Sequence, residues 1–171
     1  MWQAYYAKQP VQLFGLLMTT LREQYHHSWA AASQTAFHLA RAASTFGDAT
    51  GEYEVVLPDL VRAYEMVKEH TGATFQPSEV ARAELAWWVA RRTPGQNSPE
   101  QVGGLIAREY AELYDAPLAD MIRPGLLRAQ AAAQRDAEAA RPDWPAIGRL
   151  LNESYRELQT RLGPQRAAAQ D

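Results

Sequence analysis

Two runs of helical periodicity, separated by a stretch that no helix can cross, constrain this chain most. The first is PSEVARAELAWWVARR at residues 77–92, the second PEQVGGLIAREYAELY at residues 99–114, and TPGQNS lies between them. Pro77 suits a first helical turn, where the missing amide has no partner to lose. Val80, Ala83, Glu84, Trp87, Trp88 and Arg91 then recur at spacings of three and four, which puts them on one side of a helix. Arg91 and Arg92 complement the negative end of its dipole, and Pro94-Gly95 forbids continuation. Ser98 with Gln101 is the signature of a capping box, so a new helix starts there. Its inner side is Val102, Leu105, Ile106, Glu109, Tyr110 and Leu113. A connection this short predicts a central antiparallel helical hairpin. Gly103-Gly104 sits inside the second helix, where each glycine costs about 1 kcal/mol relative to alanine. We therefore expect another helix to cross closely at that point.

The flanking segments read as helices around this hairpin. Val11 to Tyr25 is amphipathic through Leu13, Leu16, Leu17 and Leu21. Ser28 caps a helix from Trp29 to Phe46, closed by Gly47, with a mostly small inner side of Ala32, Ser33, Ala36, Phe37, Ala40 and Ala43. Residues 52–70 follow through Leu57, Leu60, Val61, Tyr64 and Val67, with Pro58 starting or kinking the helix and Thr71-Gly72 stopping it. After Asp115, Pro124-Gly125 interrupts the pattern, which predicts a short helix and then a longer one from Leu126 to about Ala139. Apolar anchors are few beyond Leu127, so the far end of that helix is expected to be exposed. Asp143 caps a last helix with Trp144, Ile147, Leu150, Leu151, Ser154, Tyr155, Leu158 and Leu162 inward, ended by Gly163-Pro164. No useful stretch alternates apolar and polar residues as a strand does. The expectation is an all-α, single-domain helical bundle of about seven helices over residues 1–162, with a disordered tail at 163–171.

Composition narrows the function classes. The chain has 171 residues, enough for one well-buried core. It has no cysteine, which removes disulfides, thiolate metal sites and a cysteine nucleophile and fits a reducing cytoplasm. A net charge of −3 argues against electrostatic binding of nucleic acid. The helix from Ser98 to Tyr114 would read DNA poorly, since Glu100, Glu109 and Glu112 stand there against Arg108 alone. The apolar run near the N-terminus is too short to span a bilayer and too polar downstream for a signal peptide. Trp2, Tyr5 and Tyr6 leave peripheral membrane contact as a minor reading, with core packing the commoner use.

Three groups of residues carry candidate chemistry. Glu23 and His26 stand three apart, as in bundles that aim a carboxylate and an imidazole at a metal, and Glu84 and Glu109 supply carboxylates on neighbouring helices. Such sites need a second Glu-x-x-His pair, which neither His38 nor His70 completes. Ion pairing of Glu84 and Glu109 with arginines is the plainer account. Arg91, Arg92, Asn97 and Ser98 gather cations and a helix start at the central turn, where an anion or an acidic partner would bind. Dipole complementation and capping explain the same residues without a ligand. Trp87 and Trp88 diverge by about 100° on their helix, so one neighbour cannot easily cover both. The motifs for phosphate loops, dinucleotide binding, zinc proteases and hydrolase nucleophiles are absent. The reading that best fits is a cytoplasmic protein acting by association, as a homodimer or with a protein partner, through the tryptophan-bearing surface. It requires no cofactor. A metal-carboxylate enzyme or an anion-binding protein is the alternative.

Overall fold

A computed structural model describes residues 1–25 and 27–168, with side chains 24, 25 and 164–168 excepted. The described residues are all-α: α1 (Trp2–Tyr6), α2 (Pro10–Tyr25), α3 (Trp29–Asp48), a 3₁₀ turn (Tyr53–Val56), α4 (Leu57–Thr71), α5 (Pro77–Arg92), α6 (Pro99–Tyr114), α7 (Leu118–Ala137) and α8 (Trp144–Ala168). No helix among them is long and apolar enough to cross a membrane. Contacts cluster into two units, Met1–Arg82 and Ala83–Asp171.

In the first unit α3 packs against both α2 and α4. The Ser28 hydroxyl accepts from the Ala31 amide and so satisfies a donor at the start of α3. Ala32, Thr35, Ala36, Ala42 and Phe46 form the buried side of that helix. Phe37, expected inward, is instead 51% exposed. Its neighbour Ala36, also expected inward, is buried, and the two side chains point about 100° apart on the helix. Helix α4 begins with Pro58 in its first turn and ends at Gly72, whose φ of 69° suits a residue without a β-carbon. Leu60, Ala63, Tyr64, Met66 and Val67 are its buried residues.

The second unit is built on α6, which packs on α7, and α7 on α8. Trp87 and Ala90 of α5 join Val102, Ile106, Ala107 and Tyr110 of α6, Met121 and Ala129 of α7, and Leu158 and Leu162 of α8 in one apolar core. Trp87 meets Glu109 across the turn capped by Ser98, as an antiparallel hairpin requires. Gly103 is the close-crossing glycine, with the backbone of α7 at Leu126 against it, whereas Gly104 has open space beside it.

Helix α7 corrects one expectation. It runs unbroken through Pro124 and Gly125. The missing proline amide costs one backbone bond, but both residues are buried, and the Ser154 hydroxyl of α8 donates to the Pro124 carbonyl at 2.8 Å. Packing on both sides therefore outweighs local propensity. The far end of α7 is exposed as expected, at Asp136 and Ala137, while Ala129, Ala131 and Ala132 in its middle are buried. Small side chains serve here as core because they admit close neighbours. Asp143 caps α8 by accepting from the Ala146 amide. Helix α8 continues past Gly163 and Pro164 to Ala168, beyond the predicted end. Of the predicted tail, residues 169–171 lie outside the described residues.

Candidate functional site

The interior of the second unit holds a polar cluster at the α5–α6–α7 junction. Trp87 and Glu109 occupy matched positions of the hairpin, and the Trp87 indole Nε1 donates to Glu109 Oε2 at 2.5 Å. Glu109 is 4% exposed. Burial pushes its carboxyl above the usual range, opposed by the Arg128 charge and by the indole hydrogen bond. Arg128 reaches this cluster from α7, one heptad after Met121, a residue of the apolar core. Its Nη1 donates to the Tyr110 hydroxyl at 2.9 Å. The guanidinium lies 5.2 Å from the Trp87 ring centre and 5.8 Å from that of Tyr110, within cation–π range. Burial also raises the Tyr110 phenol, so it stays neutral. A cation enclosed by aromatic rings and a buried carboxyl is the most unusual electrostatic feature of this unit.

Of the expected anion site, Arg91 and Ser98 are engaged within the second unit. Arg91 turns to α7, where its Nη2 donates to Asp136 Oδ2 at 2.7 Å. The Ser98 hydroxyl is occupied in capping, accepting from the Gln101 amide at 3.3 Å. Arg92 and Asn97 are exposed. Capping describes what Ser98 does, and an ion pair with Asp136 what Arg91 does.

For the metal reading, Glu23 is exposed on α2, Glu84 is half-buried on α5, and Glu109 is taken up by Trp87. His26 lies outside the described residues. Among the described residues no three His, Asp or Glu side chains are grouped to hold a metal ion.

The tryptophan surface changes character. Trp87 is 5% exposed and belongs to the core, which corrects its assignment to an open surface. Its indole N–H explains the inward choice, since Glu109 offers it an acceptor there. Trp88 is half-buried and edge-on to Trp87, with ring centres 6.1 Å apart.

In the first unit the exposed aromatic residues are elsewhere. Trp29 is 61% exposed, with the Arg22 guanidinium 3.7 Å from its ring centre. Phe37 lies two turns on, with Arg41 5.1 Å from its ring centre. Beneath Arg41, Asp59 of the first turn of α4 accepts from Arg41 through both carboxylate oxygens and meets His38 Nδ1 at 2.7 Å. The Arg41 hydrogen bond holds the Asp59 carboxyl below the usual range, with burial opposing and His38 adding to it. Sequence reasoning missed Arg128, Tyr110 as its partner, and the His38–Asp59–Arg41 group. Arg128 had a signal, its place on the apolar side of α7. The His38–Asp59 contact had none, because it joins residues 21 apart with no motif between them.

No family model, no curated protein and no solved structure matches the chain.

Proposed function

We propose that this protein acts by association, through the outer face of α3 against a second copy of the chain. The observation that carries the reading is the exposure of two large aromatic side chains, Trp29 and Phe37, on one helix. Ala30, Gln34, Phe37, Arg41, Ser44 and Asp48, all exposed, recur along α3 at steps of four and three, the spacing with which two helices pack side by side. Aromatic residues and arginine are also the types that dominate interface energetics. Arg22 and Arg41 lie beside the aromatic rings and keep that face wettable in the free chain. The tryptophan-bearing surface expected from sequence is thereby moved from Trp87 and Trp88 to Trp29 and its neighbours. A protein occupant fits the net charge of −3 better than a nucleic acid does. Location in the cytoplasm belongs to this reading, and the absence of cysteine is compatible with it.

Sedimentation equilibrium across a wide concentration range tests the reading. The wild-type chain is expected to show a concentration-dependent dimer, and Trp29→Ala with Phe37→Ser is expected to be monomeric with unchanged helix content. A wild-type monomer at every concentration, or a dimer untouched by both substitutions, overturns it.

A further inference from the structure

We infer that α1 and α2 form a second surface, which lies on an anionic phospholipid bilayer without crossing it. Residues 1–22 hold two cationic side chains, Lys8 and Arg22, and no acid, so all 20 acids of the chain fall at Glu23 or beyond. From Pro10 to Leu21 there is no charged side chain. Among the described side chains of α2, Leu21 alone is buried. Val11 is 85% exposed and Leu16 37%, while Leu13, Phe14, Leu17 and Met18 are half-buried. A helix this apolar ordinarily buries a full side against its neighbours.

The outward residues form one face. Val11, Gln12, Gly15, Leu16, Thr19 and Arg22, all exposed, fall within an arc of about 140° on the helix. A β-carbon on Gly15 would meet nothing within 4 Å, so the face is open at its middle. The hydroxyls on and beside it are already satisfied: Thr19 Oγ1 donates to the Gly15 carbonyl at 3.0 Å, and Thr20 Oγ1 to that of Leu16 at 2.9 Å. Taking them out of water therefore forfeits little. Packed on α2, α1 adds Trp2, Tyr5 and Tyr6, half-buried rings of the kind that sit at headgroup depth. Charge selects the occupant. Lys8 and Arg22 complement anionic headgroups, whereas the rest of the chain is net acidic and is repelled by them. No described helix is long and apolar enough to cross a membrane, so α2 lies along the surface.

The test is flotation of the full-length protein with vesicles of equal phosphatidylcholine and phosphatidylglycerol, compared with phosphatidylcholine alone. The wild type is expected to float with the mixed vesicles and far less with the neutral ones. Val11→Asp with Leu16→Asp is expected to weaken binding by about tenfold or more at unchanged helix content. Because the chain has no cysteine, Leu16→Cys and Glu112→Cys each take one polarity-sensitive fluorophore. The probe at position 16 is expected to shift to the blue on mixed vesicles, and the probe at position 112, on α6, to stay unchanged. Absence of flotation, equal binding to neutral vesicles, or a double variant that binds like wild type overturns the inference. So does a blue shift at position 16 that arises without lipid as protein concentration rises, which makes a second copy the occupant. Should the double variant fail to fold, the two probes decide alone.

Discussion

A β-carbon built onto Gly125 would lie 2.5 Å from the Gly103 carbonyl oxygen, so α6 and α7 touch backbone to backbone where these two glycines meet. The same atom would stand 2.9 Å from the Ala107 nitrogen, and one on Gly103 would stand 2.8 Å from Leu126 Cα. None of these atoms is the end of a flexible side chain. Gly125→Ala is therefore expected to destabilise by about 1–3 kcal/mol or more. Gly104 has nothing within 4 Å of its missing β-carbon. Gly104→Ala should stabilise by about 0.5–1 kcal/mol through helix propensity alone. Urea denaturation of the two variants checks both signs.

Trp87 and Trp29 should respond unequally to substitution. Trp87→Phe keeps the ring but leaves the buried Glu109 carboxyl without its indole donor, an expected loss of about 1–3 kcal/mol. Trp29→Ala removes a mostly exposed side chain, and stability should change by no more than about 0.5 kcal/mol. Thermal unfolding of both, at a concentration where any dimer has dissociated, makes the comparison.

Glu109 gives stability a slope in mild acid. Its carboxyl is raised from an ordinary value of 4.5 by burial, so between that value and the higher folded one the native state holds more proton than the unfolded chain. Stability contributed by this group must then fall as pH rises through that window. Glu109→Gln keeps an acceptor for the indole and has no proton to lose. The variant is expected to lack that decline in denaturant midpoints measured from pH 4.5 upward.

Asp59 has the opposite sign. Its carboxyl is held below 3.8 chiefly by the Arg41 hydrogen bond, so its contribution is present above that pH and is lost as pH falls through the folded value. Asp59→Asn should lower the melting temperature at neutral pH and flatten the acid limb below pH 3.8. Melting curves against pH for the two proteins test this, and an unchanged acid limb would count against the assignment.

The sequence by itself determined what depends on neighbours along the chain. Ser28, Ser98 and Asp143 each cap the helix that their position predicts. Gly72 ends α4, and the hairpin around Ser98 follows from its short connection. These features act over one turn of helix, the range that a local pattern spans. The need for a close crossing at Gly103-Gly104 was also legible, because an interior glycine requires compensation. Its partner was not, since that depends on where α7 lies.

Tertiary structure alone decided the rest. Pro124-Gly125 reads locally as a break, yet α6 and Ser154 hold it inside a continuous helix. Periodicity placed Phe37 inward and could not say which of Trp87 and Trp88 is covered; Trp87 is buried against an acceptor at Glu109, and the buried side of α3 is Ala32, Thr35, Ala36, Ala42 and Phe46. Arg128 joins Tyr110 across 18 residues and Trp87 across a longer stretch. A helical pattern records which side of a helix is buried. It does not record what stands opposite, and for a buried charge such as Arg128 the opposing groups decide its partners.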